Sequence, residues 1–185
     1  LLDHLGVGHD LIESPPGERP AGLDRWSTSG RIPLLVHGDL SIGESRVMLE
    51  HLAEAYAFEK AYPASVVERT LHREAMAIVD SELAPALLRD SVAREARLAE
   101  CLGRLDDVAR MTLPSPCVLS FHVAPIWLRL QWWQPKGAVT RSIRERPRLA
   151  EWLDAAAQLP SVARTSPSRA ENTRDFEAIV CALKS

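Results

Sequence analysis

Residues Gly30 to Ser45, GRIPLLVHGDLSIGES, constrain the fold of this chain more than any other stretch. Pro33 stands at the front of an apolar run, Leu34-Leu35-Val36, that reads as a short buried strand over residues 33–37. A turn at His37-Gly38-Asp39 follows, and Leu40-Ser41-Ile42 alternates as a second strand over 40–42. Gly43-Glu44-Ser45 then opens a segment of helical spacing, read as a helix over 44–56. A strand that begins on proline, in a hairpin that runs straight into Glu-Ser at a helix start, must be explained together.

Upstream, LLDHLGVGHDLIES reads as the last turns of a helix over 1–5, a Gly6/Gly8 stop, and a strand over 9–13. The chain opens on Leu1 and not on methionine, and a helix already under way there leads us to expect that upstream sequence is missing. Ser14-Pro15-Pro16-Gly17 begins a loop over 14–22, turn chemistry that a central strand cannot hold. After Ala57 every strong pattern has helical period. Leu71, Ala75, Ile78, Val79, Leu83 and Leu87 share one face, with Pro85 expected to kink it. Leu98, Cys101, Leu102, Leu105, Val108 and Ala109 repeat the pattern. Ser115-Pro116 reads as a helix start, a capping serine with proline at the first helical position, continued by Val118, Phe121 and Ala124. A last helix carries Leu149, Trp152, Leu153 and Ala156 and is expected to end near Leu159-Pro160. The fold class is therefore a small mixed α+β or α/β unit over 1–56, a linker over 57–62, and an all-helical unit over 63–185.

Composition closes off several functions. The 185 residues are 46% hydrophobic and 25% charged, with a net charge of −3, so nothing electrostatic argues for nucleic acid or an anionic membrane. No apolar run is long enough to span a bilayer, and no signal peptide is visible. The three cysteines, Cys101, Cys117 and Cys181, are odd in number and widely spaced, which reads as reduced thiols in a cytoplasmic protein. The six histidines show no paired ligand spacing on one helix face, so no metal site is expected.

Glu44-Ser45 carries the most chemistry. A helix N-terminus presents unpaired N–H groups and the positive end of the dipole, which favour a carboxylate. A serine there adds a hydroxyl donor, and a neighbouring glutamate can hold an ammonium group. Together they suit both ends of an α-amino acid head group. A structural reading is equally concrete: Ser41-x-x-Glu44 fits a capping box, in which Glu44 merely satisfies backbone N–H groups. The sequence leaves both open.

The order of features resembles the glutathione transferase superfamily. Gly30-Arg31-Ile32-Pro33-Leu34-Leu35, Glu44-Ser45, Met48 and His51-Leu52-Ala53-Glu54 follow that family's N-terminal pattern in order and spacing. RERPRLAEWLDAAAQLPSV, Arg144 to Val162, resembles its late helix motif, and SELAPALL (Ser81 to Leu88) and VAPIWLRL (Val123 to Leu130) are also similar. The resemblance implies an incomplete thioredoxin-like domain, lacking its first strand, followed by the all-helical domain. It implies glutathione as co-substrate, with Pro33 in a cis peptide that turns the Ile32 backbone outward to pair with the cysteinyl part. Glu44 and Ser45 would hold the γ-glutamyl end, and Arg31 the glycyl carboxylate. The thiol-activating residue would precede Leu1, so the catalytic residue is unknown. Ser27-Thr28 stand where many relatives have Asn-Pro, Gly43 replaces a larger residue, and the family's helical-domain cap, Ser/Thr-x-x-Asp, is here Cys117-x-x-Ser120.

The expected activity is transfer of glutathione thiol to a small, apolar, electrophilic molecule, a detoxification chemistry. The alternative is a non-catalytic interaction or regulatory module on the same fold. A homodimer is implied, through the helix beginning at Glu44 and the one after Pro63. Two further features have structural readings beside functional ones. Arg141 to Arg148 is a solvated face or an anion patch, and Trp127, Trp132 and Trp133 are packing or the lining of an apolar cleft.

Overall fold

A computed structural model describes residues 1–14, 18–27, 30, 32–57, 61–87, 95–110 and 116–174. The chain divides into two compact units, Leu1–Phe58 and Glu59–Ser185.

The first unit opens with α1 (Leu2–Leu5), stopped by Gly6 in the left-handed region at φ 66. The expected strand over 9–13 is absent: residues 7–14 form neither helix nor strand, and Leu11 and Ile12 are 75% exposed. An apolar run becomes a strand only where a neighbour completes its ladder, and strand propensity is largely a measure of that context. After a 3-10 turn (Leu23–Arg25) comes the hairpin, β1 (Leu35–His37) and β2 (Leu40–Ile42). It is antiparallel, with Leu35 opposite Ile42, Val36 opposite Ser41 and His37 opposite Leu40. Gly38 has φ 61 at the first central turn position, the placement a type II′ hairpin turn demands. β1 begins at Leu35 and not at Pro33, because proline has no N–H for the ladder. Helix α2 (Ser45–Tyr56) then packs inward through Met48, Leu52 and Ala53.

The second unit is helical throughout its described residues. Helix α3 (Val66–Ile78) starts at Ser65, whose hydroxyl accepts from the Glu68 N–H at 3.5 Å. It does not simply kink at Pro85. It widens into a π turn (Val79–Leu83), closed by the Ala84 N–H to the Val79 carbonyl at 2.8 Å, and a 3-10 turn (Pro85–Leu87) follows. Proline lacks the donor that would continue the α ladder, so the chain leaves it one turn earlier. Helix α4 (Glu95–Ala109) buries Leu102, Leu105 and Val108. Helix α5 (Val118–Trp133) is buried on most of its circumference and forms the core of the unit. Its cap is Cys117, so the helix begins later than Ser115-Pro116 suggested; Ser115 itself lies outside the described residues. Helix α6 (Ala138–Arg144) leads to α7 (Pro147–Ala157), which lays Leu149, Ala150, Leu153 and Ala156 inward and packs against α5. Pro160 does not end the structure; it opens α8 (Pro160–Thr165) as that helix's first residue.

Candidate functional site

The Ile32–Pro33 peptide is cis. Two residues before Ile32, Gly30 lies at φ 63 and its N–H donates to the Ser27 hydroxyl at 3.0 Å. Ile32 is 53% exposed, and among the described residues its backbone N–H and C=O have no hydrogen-bonding partner. They are thus open to an extended ligand chain.

Glu44 sits at the N-cap of α2 with extended backbone (φ −107, ψ 117), yet its side chain does not cap the helix. Ser45 is the first helical residue, and both side chains are exposed. The capping-box reading fails here. Ser41 lies inside β2, paired with Val36, and a residue held in a ladder three positions before the N-cap cannot itself be the cap. The first turn of α2 therefore has no capping side chain and no acidic residue within it.

Pro33 and Ile32 lie two and three residues before β1, and Glu44 and Ser45 two and three residues after β2, so both halves of the motif flank the open end of the hairpin. Arg31 lies outside the described residues.

At the turn end of the hairpin the structure assembles a chain that the sequence did not announce. His37 Nδ1 stands 2.9 Å from His51 Nε2, and His37 Nε2 stands 3.1 Å from the Tyr56 hydroxyl. The ring centroids of the two histidines are 5.2 Å apart, so the nitrogens face each other nearly in line, as a shared proton requires. Strand-to-helix contacts leave no periodic trace, which is why spacing could not reveal this one. Among the described residues, no group of three or more His, Cys, Asp or Glu side chains is placed to hold a metal ion.

Several remaining candidates of the helical unit have structural partners. Trp127 is fully buried and donates its indole N–H to Asp154 at 2.8 Å. The basic run is largely spoken for: Arg144 pairs with Asp154, Arg141 donates to the Lys136 carbonyl and Arg146 to the Ser142 carbonyl. Burial pushes the Cys117 thiol up, away from the thiolate. Cys101 is half-buried and in no disulfide, and Cys181 lies outside the described residues.

Residues 1–61 match the family described as glutathione S-transferase, N-terminal domain. Among solved structures, the chain is similar to a Tau class glutathione S-transferase from mango, Mangifera indica. The two are 19% identical, with 97% of this chain and 90% of that one covered and a TM-score of 0.74. It is also similar to a glutathione S-transferase from Methylobacterium radiotolerans solved with glutathione sulfonate, at 19% identity, 90% and 86% coverage and a TM-score of 0.64. A third, glutathione S-transferase III in its apo form, is 21% identical, with 90% of each chain covered and a TM-score of 0.61. No curated protein matches the sequence. The chain has the glutathione S-transferase fold, a thioredoxin-like N-terminal domain followed by a helical one, as the sequence led us to expect.

Proposed function

We propose that this chain, built on the glutathione S-transferase fold, binds glutathione at the open end of its hairpin and serves transfer of the thiol to an electrophilic, apolar small molecule. The observation that carries the reading is Glu44: a residue at the N-cap of α2 whose side chain does no capping, beside an exposed Ser45. Glutamate is a poor cap, so its presence at this position is better explained by a ligand than by the helix. In the proposed complex the Glu44 carboxylate takes the ligand's ammonium group. Ser45 and the positive N-terminal end of α2 take its γ-glutamyl carboxylate. The free N–H and C=O of Ile32 pair with the cysteinyl part as an added strand, and Arg31 takes the glycyl carboxylate. The bound thiolate attacks the electrophile and displaces its leaving group; no residue of this chain is assigned to activating the thiol.

We further propose a cytoplasmic homodimer formed through α2 and α3. Both helices present apolar side chains to solvent, Val47 and Tyr56 on the first, Val66 and Val67 on the second. Among the described residues no helix is long and apolar enough to cross a membrane.

Calorimetric titration with glutathione, followed by an assay with an aryl halide acceptor, tests the reading. Binding with halide release supports the transferase. Binding without release supports a non-catalytic module on the same fold, and absence of binding defeats the site assignment.

A further inference from the structure

The N-terminus of α5 is buried to a degree that makes its hydrogen bonding a problem. Cys117, Val118 and Leu119 are 0% exposed and Ser120 is 4% exposed, so water cannot satisfy the free N–H groups of the first turn. The local cap is weak. The Ser120 hydroxyl accepts from the Cys117 N–H at 3.4 Å, and the Cys117 sulfur lies 3.3 Å from that hydroxyl. Sulfur is a poor acceptor compared with the oxygen of an ordinary cap. The Ser120 N–H turns back to the Cys117 carbonyl at 2.9 Å. The Leu119 N–H finds its acceptor on another helix: Nε2 of His72, on α3, at 3.3 Å.

We propose that His72 caps α5 across the helical unit, and that proton uptake on its ring releases this cap, giving the unit an acid-sensitive latch. The chemistry is forced by the bond. Nε2 accepts only with a free lone pair, so the ring is neutral and carries its proton on Nδ1. A second proton would set N–H against N–H and place a cation at the positive end of the α5 dipole.

The surroundings oppose that second proton. His72 is 0% exposed. The Tyr62 ring meets it edge-on, with centroids 5.5 Å apart, and the Arg73 guanidinium lies over Tyr62. His122 faces it from α5, with Asp80 of the π turn 2.8 Å from the His122 ring. Glu82 is buried on the same π turn, Cys117 sits at the cap, and Arg104 of α4 pairs with Glu74 further along α3. Burial first, then the charges of Arg73 and His122, lower the pKa of His72 from 6.5 to about 4.

The sign follows from linkage. Opened to water, the ring takes its proton near its ordinary 6.5; buried in the capped form, it resists until about 4. The cap's contribution is therefore whole above 6.5 and drains away as pH falls toward 4. Within that window each unit of pH shifts the balance between capped and opened forms by up to about tenfold.

Nitrogen-15 NMR of the full chain tests the proposal without any substitution. At neutral pH a scalar coupling should join the Leu119 amide nitrogen to His72 Nε2, with the ring in the Nδ1–H tautomer. An Nε2–H tautomer, or no coupling, overturns the cap. For the latch, protection of the Leu119 amide, corrected for intrinsic exchange, should fall about tenfold per unit below pH 6.5. His72→Gln, which offers an oxygen at the same reach but no titration, should keep the protection at neutral pH and lose its pH dependence. A flat profile in the parent, or the same slope in the variant, overturns the latch.

Discussion

The indole N–H of Trp127 on α5 meets the carboxylate of Asp154 on α7 at 2.8 Å, and two other donors share that carboxylate. Gln131, one turn along α5, donates at 2.8 Å, and Arg144 of α6 donates at 2.6 Å. The Arg144 guanidinium lies 4.9 Å from the centre of the Trp127 ring. One side chain thus ties three helices. Asp154→Ala would strand a buried indole N–H and a guanidinium, and should lower unfolding free energy by about 2–4 kcal/mol. Urea unfolding measures it, and a change below about 0.5 kcal/mol, the scale of an ordinary surface substitution, would show the three contacts to be incidental.

The same carboxylate sets a pH dependence. Burial alone would raise its pKa, but the hydrogen bonds from Arg144, Trp127 and Gln131, with the charge of Arg144, outweigh burial and hold it below 3.8. The unfolded chain takes up this proton first, so the contribution is whole above 3.8 and is lost as pH falls through the folded value. Asp154→Asn should flatten the acid limb of a stability profile in this range. It should leave untouched the limb at higher pH that His72 governs.

Glu44 and Ser45 should separate binding from folding. Ser45→Ala removes a hydrogen bond to a charged ligand group and should weaken glutathione binding about 10- to 150-fold, with little change in the melting temperature of the free protein. Glu44→Ser should do two opposite things. It supplies the cap that α2 lacks, raising stability by about 0.5–2 kcal/mol, while it removes the carboxylate offered to the ligand's ammonium group. Calorimetry for both variants decides the matter; unchanged affinity in both would end the assignment.

Sedimentation velocity at micromolar concentration should show a dimer. Val67→Glu, placing a charge on a side chain 68% exposed, should leave each folded chain intact and shift the population to monomer. A parent that sediments only as monomer would refute the proposed assembly.

What the sequence disclosed was local. The hairpin strands, the turn at Gly38 and helix α2 depend on neighbours within a few residues, and their boundaries lay close to those read from the pattern. The cis bond at Pro33 was legible through a motif. What stayed hidden was a matter of partners. The run at 9–13 had strand composition but, among the described residues, no strand beside it. His37 meets His51 fourteen positions away, and His72 meets Leu119 forty-seven away, pairings no periodicity encodes. Ser41-x-x-Glu44 has the letters of a capping box, but the ladder took Ser41 first. Pro160 was ambiguous by nature, since proline both follows one helix and begins the next.

The π turn at Val79–Leu83 gives the chain a place where its length can change. A π turn holds one residue more than the α turn it interrupts, so deleting Ser81, which is exposed, would let the backbone close into an ordinary α turn with the flanking faces still aligned. The same deletion within α5 would rotate a helix buried on most sides by about 100° and bring polar edges into the core. Descent with gain and loss of single residues is therefore permitted in one turn of this unit and forbidden along its central helix.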